Sequence, residues 1–175
     1  MSDSSAALSI ERVRVNSLDI PQARDLDTIR RVIEVAGQGP MTLPNLMELT
    51  SFSKRHVHYR THAARALGMV TMSREPVLVT LTSTGSELLA TTPYSKGEAE
   101  LLRQGFESGP LRPFASMMLA TPAPTLDVFA AAVGAAGLLS PATARHRAQG
   151  LLAWRTRLLG EAKDTHAEDR QLILF

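Results

Sequence analysis

The stretch between residues 53 and 89 constrains the fold more than any other part of the sequence, because its apolar pattern changes period twice. Residues 54–67 carry apolar side chains at helical spacing and follow Ser53, the predicted N-cap of this helix. Residues 69–72 and 77–81 are rich in Val, Leu, Met and Thr and flank a turn-like Ser-Arg-Glu-Pro, as the two strands of a hairpin do. Residues 82–89 return to a helical pattern. The stretch therefore predicts a helix, a two-stranded hairpin and a second helix.

Two more helices are predicted upstream of this stretch. Residues 25–36 carry apolar side chains at spacings of three and four and are followed by Gly-Gln-Gly-Pro, which ends a helix. Residues 42–49 form a shorter helical pattern with Thr42 as its N-cap. The resulting order of helix, helix, helix, hairpin and helix predicts a fold that is mainly α with a small β-wing.

Positive charge is concentrated in two windows that contain no acidic residue. The first runs from Ser53 to Arg74 and holds five Lys and Arg residues and three His residues. The second runs from Ser140 to Gly160 and holds four Arg residues. Together they contain nine of the 19 Lys and Arg residues of a chain whose net charge is only +2. Because clustered basic residues are typical of nucleic-acid binding, these windows predict an anionic partner.

The segments SKRHVHYRTHAARALGMV and LTSTGSELL resemble parts of the winged helix-turn-helix family, over about residues 22–92. The first is similar to the recognition helix as it enters the first wing strand, and the second to the step from the second strand into the closing helix. At ~100° per residue, the recognition helix turns four residues inward, Val57, Thr61, Ala64 and Leu67. Such a helix fits the major groove, and the candidate DNA contacts are Lys54, Arg55, His58, His62, Arg65 and Arg74.

The second basic window repeats the first at a constant offset, which aligns Arg60 with Arg147. Its sequence, SPATARHRAQGLLAWRTRLLG, resembles a helix-turn-helix of bacterial restriction-associated DNA-binding proteins, over roughly residues 95–160. The resemblance implies a second DNA-binding helix with two candidate contacts, Arg145 and Gln149.

Three residues of these two helices have alternative interpretations. Arg60 and Arg147 either contact phosphate or pair with a carboxylate such as Glu48 or Glu87. Trp154 lies on the apolar stripe of its helix, so it is predicted to be a core residue rather than a platform for stacking bases.

These patterns predict two winged-helix or helix-turn-helix domains in tandem, joined by a short proline-bearing linker at 91–95. The predicted boundaries are a flexible arm at 1–21, a winged helix-turn-helix domain at 22–92, a second helix-turn-helix domain at 95–160 and a tail at 161–175.

The tail ends on the apolar segment QLILF, for which three interpretations are open. It resembles the Gln-Leu-x-Leu-Phe motif by which bacterial DNA polymerases and repair proteins bind the sliding clamp. That resemblance implies a hydrogen bond from Gln171 at a pocket rim and an apolar pocket filled by Leu172, Leu174 and Phe175. Alternatively, the segment is the second strand of a wing whose first strand is 160–162, or a strand that pairs with another copy of the chain.

Several chemistries are excluded or disfavoured. The sequence has no cysteine, so disulfides, thiol nucleophiles and Cys-ligated zinc are excluded. His58 and His62 are one helical turn apart but lack a third ligand, so neither a metal nor another cofactor is predicted. Glu161 and Lys163 have the Glu-x-Lys spacing of one nuclease metal site but lack a second carboxylate. Without a phosphate loop or a dinucleotide fingerprint, the chain is predicted not to be an enzyme.

The expected location is the cytoplasm, in association with the nucleoid. No apolar run approaches the ~20 residues that span a bilayer, so no membrane partner is predicted. The first residues, MSDSS, lack the basic start and apolar stretch of a secretory signal.

The sequence therefore favours a non-catalytic protein that binds duplex DNA in DNA maintenance, mobile-element or defence processes. In this hypothesis QLILF binds the sliding clamp, and a separate nuclease or other DNA-processing protein is a further partner. The first alternative is a homodimeric transcriptional regulator whose C-terminal segment is a wing or dimer strand. The second is an interaction adaptor whose winged helices bind protein.

Overall fold

The computed structural model describes residues 13–161, and this part of the chain is mainly helical with a two-stranded antiparallel sheet. The prediction of a mainly α fold with a small β element is therefore confirmed. Two short 3-10 helices, Ser17–Asp19 and Arg112–Phe114, accompany the α-helices. In chain order, the other elements are α1 (Leu26–Ala36), α2 (Leu43–Thr50), α3 (Lys54–Ala66), β1 (Val70–Met72), β2 (Val79–Leu81), α4 (Ser83–Ala90), α5 (Lys96–Ser108), α6 (Ala115–Met118), α7 (Leu126–Gly137), α8 (Pro141–Leu152) and α9 (Arg155–Leu158).

Most of the longer helices begin after a capping side chain. The hydroxyls of Thr42 and Ser53 accept hydrogen bonds from backbone N–H groups in the first turns of α2 and α3, so both predicted N-caps are confirmed. Each such bond satisfies an N–H group that the helix itself leaves unpaired and contributes about 1 kcal/mol. Five more helices begin after a side chain that caps them in this way. The capping residues of α1, α4, α5, α7 and α8 are, in that order, Asp25, Thr82, Ser95, Thr125 and Ser140.

The predicted hairpin is present and is attached to the helices. β1 and β2 pair antiparallel with Val70 opposite Leu81. The first residues of the predicted second strand, 77–78, lie in the turn instead of the strand. Met41, which lies between α1 and α2, exchanges two backbone hydrogen bonds with Val79, at 2.9 and 2.8 Å. The sheet is therefore hydrogen-bonded to the segment that joins the first two helices.

Helix α3 is buried on more than its predicted inward face. The four residues assigned to that face are all 0% exposed, as predicted: Val57, Thr61, Ala64 and Leu67. Ala63 and Ala66 are buried as well, at 0% and 1% exposure. The second half of α3 is therefore mostly enclosed by the protein, and the fully exposed residues of the helix lie in its first turn.

Helix α5 is what covers the C-terminal end of α3. A Cβ atom on Gly105 would lie 2.2 Å from the carbonyl oxygen of Leu67, and one on Gly109 would lie 2.7 Å from that of Ala66. Side chains larger than hydrogen do not fit at such distances. A helix predicted to belong to the second domain thus packs directly against the backbone of the first.

The buried apolar residues form one continuous cluster on both sides of the predicted joint at 91–95. The cluster includes Val57 from the first half, and Phe106 and Trp154 from the second. The predicted boundary between 22–92 and 95–160 therefore does not separate two cores. Trp154 is 0% exposed, which confirms its predicted place in the core.

A buried ion-pair network fixes the joint. Its centre is Glu98, which is 2% exposed. The Glu98 carboxylate accepts hydrogen bonds from Arg30 Nη1 at 2.7 Å and from Arg157 Nε and Nη2 at 2.7 and 2.9 Å, and from the backbone N–H of Tyr94 at 2.7 Å. Arg30 Nη2 also donates to the carbonyl oxygen of Thr91 at 2.8 Å. The network joins α1, the predicted linker, α5 and α9.

The surroundings of these groups set their charge. Burial would raise the pKa of Glu98, but hydrogen bonds from Arg157 and Tyr94 and the positive charges of Arg157 and Arg30 lower it below its ordinary value. Arg157 Nη1 also donates to Asp27 Oδ1 at 2.6 Å, and its guanidinium lies 3.7 Å from the centre of the Tyr94 ring. Burial, together with the hydrogen bond from the Tyr94 hydroxyl to Asp27, raises the pKa of Tyr94 to about 12.

The prediction of a flexible arm is wrong for residues 13–21. Val15 is 8% exposed and donates its backbone N–H to the carbonyl oxygen of Ala136 in α7, at 3.0 Å. Ile20 is 1% exposed and lies against Gly137, where an added Cβ would come within 2.6 Å of Ile20 Cδ1. The partners of this segment lie near the other end of the chain, so local pattern could not reveal them. Residues 1–12 of the predicted arm lie outside the described chain.

Helix α9 ends in a left-handed glycine cap. Gly160 has φ of +70°, and the backbone N–H groups of Glu161 and Gly160 donate to the carbonyl oxygens of Thr156 and Arg157 at 2.9 and 3.2 Å. This pattern closes a helix and is most favourable with glycine. Gly160 and Glu161 therefore do not begin the wing strand considered for 160–162. The rest of the tail lies outside the described residues, and with it Gln171, Leu172, Leu174 and Phe175.

Candidate nucleic-acid interface

The first turn of α3 presents its basic side chains outward. Lys54, Arg55 and His56 are exposed and directly follow the N-cap Ser53. Arg55 is held in place by Tyr59, because its Nε donates to the Tyr59 hydroxyl at 3.1 Å and its guanidinium lies 5.3 Å from the ring centre. The helix therefore offers positive charge and N-terminal backbone N–H groups at the same end.

A basic cleft lies beside this end of α3. It is formed by the chain leading into α1, by the first half of α3 and by α8, and we call it the α3–α8 cleft. Within the described chain, Asp25 is the acidic residue that lines it, and the Asp25 carboxylate already caps α1. Its lining residues are Gln22, Ala23, Arg24, Asp25, Thr28, Arg55, His56, Tyr59, Arg60 and His146. The two helices predicted to act in separate domains therefore contribute to one cleft.

Arg60 lies in the cleft without the carboxylate partner that one interpretation gave it. Its guanidinium stacks over the Phe52 ring at 4.3 Å. Among residues 13–161 no carboxylate lies within salt-bridge distance of it, and neither Glu48 nor Glu87 fills that role. Burial lowers the pKa of Arg60, and the nearby charge of Asp25 opposes this shift.

All four arginines in the second basic window bind the protein itself, Arg145 through an ion pair with Asp127. Arg147 Nη1 donates to the carbonyl oxygens of Ser17 and Ile20. Arg155 donates to two carbonyl oxygens at the end of α6, and Arg157 belongs to the Glu98 network. The acid-free window therefore overstated the charge available to DNA. Its arginines pair with carbonyl oxygens and carboxylates that are distant in the sequence.

The predicted contacts further along α3 are partly covered by the 3-10 helix Ser17–Asp19. Arg65 Nη2 pairs with Asp19 Oδ1 at 2.7 Å. The rings of His58 and His62 stack with centres 6.0 Å apart, and both are half-buried. Burial, followed by the charges of Arg65 and His58, lowers the pKa of His62, and Asp19 opposes this shift. These three residues are less accessible than the helical wheel predicted, because the wheel does not include the N-terminal segment.

The remaining predicted contacts are exposed but do not line the cleft. Arg74 lies in the turn between β1 and β2. On α8, Arg145 and Gln149 both face outward, and Arg145 forms an ion pair with Asp127 at the start of α7. His146, one residue further along α8, is the member of this helix that reaches the cleft.

Sequence reasoning missed Arg24, His56 and His146 as members of the site. Arg24 lies outside both basic windows, immediately before the N-cap of α1. His146 aligns with Tyr59 at the constant offset between the two windows, which was the available signal that both belong to one surface.

The described part of the chain contains no group of three or more His, Asp or Glu side chains arranged to hold a metal ion. Within the same range no single helix has the length and apolarity of a membrane span. Two segments, Leu126–Gly137 and Pro141–Leu158, meet these criteria only when taken together, and the chain bends by 115° between them. Comparison of the chain with protein-family models, with curated proteins and with solved structures found no match.

Proposed function

We propose that the protein binds duplex DNA non-catalytically, through the exposed first half of α3 and the α3–α8 cleft, with a winged-helix arrangement of α1 to α4. The observation that carries this proposal is the cleft itself. Arg24, Arg55 and Arg60 converge there with two histidines, while the nearby carboxylate of Asp25 is engaged as a helix cap. Such a site holds negative charge, and a DNA backbone supplies it at regular spacing.

The geometry of α3 supports a groove-reading role for its start. In helix-turn-helix proteins, the N-terminal residues of the recognition helix contact base edges while neighbouring elements hold the backbone. Lys54, Arg55 and His56 are the exposed residues of this first turn. In this arrangement Arg24 and His146 in the cleft contact the phosphates on either side of the groove. Arg145 contacts a phosphate as well, after its ion pair with Asp127 is broken.

Replacing Lys54 and Arg55 together with Ala should weaken binding to a mixed-sequence duplex by tenfold or more near 0.1 M salt. If each residue contacts one phosphate, the slope of log affinity against log salt should fall by about two, since each contact contributes ~0.9. Fluorescence anisotropy across a salt series measures both quantities. The melting temperature should hardly change, because exposed substitutions usually alter stability by less than ~0.5 kcal/mol.

The matched control replaces Lys96 and Arg112 with Ala. Both are exposed, lie outside the cleft and remove the same charge. If this control weakens binding as much as the α3 variant, the attraction is a property of overall charge and the assigned surface is wrong. An affinity that ignores added salt in the intact protein would contradict DNA binding altogether.

We further propose that QLILF binds the bacterial sliding clamp, which places the protein in DNA maintenance, mobile-element or defence processes beside a separate nuclease or other processing enzyme. The support is the match of Gln171, Leu172, Leu174 and Phe175 to all four fixed positions of the clamp motif. A buried Leu or Phe side chain contributes about 1.5–3 kcal/mol where it docks.

Changing Leu174 and Phe175 to Ala should abolish clamp binding in a co-elution experiment and leave DNA affinity unchanged. Ile173→Ala is the matched control, because it alters the variable position of the motif and should still bind. Melting curves are recorded alongside. A fall of several degrees in the melting temperature, with no clamp binding by the intact chain, would instead assign the segment to the fold or to a dimer, as in a homodimeric regulator.

A further inference from the structure

A second cavity lies between the N-terminal segment and α3, beside His58, Tyr59 and His62. Its volume is about 140 Å³. An engineered cavity of roughly this size, about 150 Å³, holds a benzene molecule in another protein. Its lining residues are Ser17, Leu18, Ile20, Pro21, Gln22, His58, Tyr59, His62 and Arg147. The space therefore fits one ring or a short branched chain.

Arg147 brings an incompletely compensated positive charge to this cavity. The side chain is only 9% exposed. Its Nη1 donates to the carbonyl oxygens of Ser17 and Ile20, but its buried Nε–H meets no acceptor in residues 13–161. Across the same residues, no carboxylate lies within salt-bridge distance of it. A buried charge is costly unless an opposite charge or further hydrogen bonds compensate it, so the site favours an anion.

The rest of the lining is largely apolar. Leu18, Ile20 and Pro21 contribute hydrocarbon from the N-terminal segment, and the Tyr59 ring contributes it from α3. Pockets of this composition bind small organic molecules, whose few polar atoms meet a few fixed protein groups. A bare inorganic anion would leave these apolar walls without a partner.

His62 supplies a second polar group of defined character. Arg65 Nη2 lies 3.4 Å from His62 Nδ1. Because a guanidinium only donates hydrogen bonds, Nδ1 accepts this one, and the neutral ring carries its proton on Nε2. Burial and the neighbouring positive charge of Arg65 lower the pKa of His62, which favours the neutral form of the ring. The ring is then a neutral donor beside the Arg147 charge.

We propose that this cavity is a binding site for a small carboxylic acid with one ring or a branched aliphatic body, whose carboxylate pairs with Arg147. The apolar body lies against Ile20, Pro21 and the Tyr59 ring. The site adjoins the α3–α8 cleft, with which it shares Gln22 and Tyr59, but its existence does not depend on DNA binding.

Benzoate is the first probe, tested on the intact chain by isothermal titration calorimetry and by ¹H–¹⁵N spectra. Saturable binding is expected, with the largest shifts at the Arg147 Nε–H and at the backbone of Ile20 and Tyr59. Benzamide has the same ring without the charge, and acetate and inorganic phosphate have the charge without the ring. Each should bind at least tenfold more weakly than benzoate.

Arg147→Gln tests the charge, since the amide can still donate to the backbone carbonyls, and it should weaken benzoate binding by tenfold or more. Arg112→Gln, at an exposed arginine outside both the cavity and the α3–α8 cleft, is the control and should bind benzoate normally. If Arg147→Gln does not fold, the four probes on the intact protein decide the question. Benzamide or phosphate binding as well as benzoate, shifts centred on Arg24 and Arg55, or no binding at all would each overturn the proposal.

Discussion

Replacing Glu98 with Gln is expected to lower the free energy of unfolding by about 3–5 kcal/mol, the typical cost of removing one partner from a buried ion pair. Glu98 is 2% exposed and accepts hydrogen bonds from Arg30 and Arg157. The amide would leave both guanidinium groups without their buried negative partner, since Asp27 and Glu34, which also pair with them, are more exposed carboxylates. Because small domains are stable by only about 5–15 kcal/mol, the loss should be evident in urea denaturation at neutral pH.

Glu100→Gln is the matched control, because Glu100 is exposed on the same helix and should change stability by less than ~0.5 kcal/mol. The pH dependence gives a second measure. Since folding lowers the pKa of Glu98, its contribution is complete above the ordinary value of 4.5 and is lost as the pH falls through the folded value. The Gln variant should therefore lose less stability than the parent protein on acidification below about pH 4.5. Equal stability of the two variants at pH 7 would show that the network is not closed as described.

Replacing Gly105 with Ala should destabilise the protein by about 1–3 kcal/mol or more, as overpacking does in a filled interior. The added Cβ would lie 2.2 Å from the carbonyl oxygen of Leu67, and a backbone carbonyl cannot rotate away as a side chain can. Helix α5 would have to separate from the end of α3. Thermal unfolding followed by circular dichroism should show a clear fall in melting temperature.

Gly97→Ala, in the same helix, is expected to have the opposite effect on stability. The nearest atom to its added Cβ is Thr91 Cγ2 at 3.5 Å, an ordinary contact. Alanine is more favourable than glycine in a helix by roughly 0.5–1 kcal/mol, so this variant should be as stable as the parent or more so. If Gly105→Ala behaves like Gly97→Ala, α5 does not pack on α3 as described, and the single core is in doubt.

Both results bear on function, because the α3–α8 cleft requires the two halves of the chain to be held together. Arg55 comes from one half and His146 from the other. The Glu98 network and the contact at Gly105 join these halves, together with the continuous apolar core. Two domains joined by a loose linker would instead offer two independent DNA-binding helices, as the tandem resemblance implied.

Features that depend on near neighbours in the chain could be read from the sequence. Ser53 caps α3 because its hydroxyl reaches an N–H three residues away. The inward face from Val57 to Leu67 follows from the helical repeat, and the hairpin follows from two short β-rich segments around a turn. The exposed start of α3, with Lys54 and Arg55, belongs to the same class, since a first helical turn lies next to its own cap.

Tertiary structure alone decided which of the basic residues remain available. Arg65 is paired with Asp19, Arg147 with two carbonyl oxygens of the N-terminal segment, and Arg157 with Glu98. An acid-free window in the sequence says nothing about acids and carbonyls that folding brings in from elsewhere. By itself, the sequence determined the helices between residues 25 and 89, the caps at Thr42 and Ser53, the hairpin and the inward face of α3. The packing of distant segments decided the single core, the α3–α8 cleft and the cavity at Arg147, because such contacts have no period or spacing along the chain.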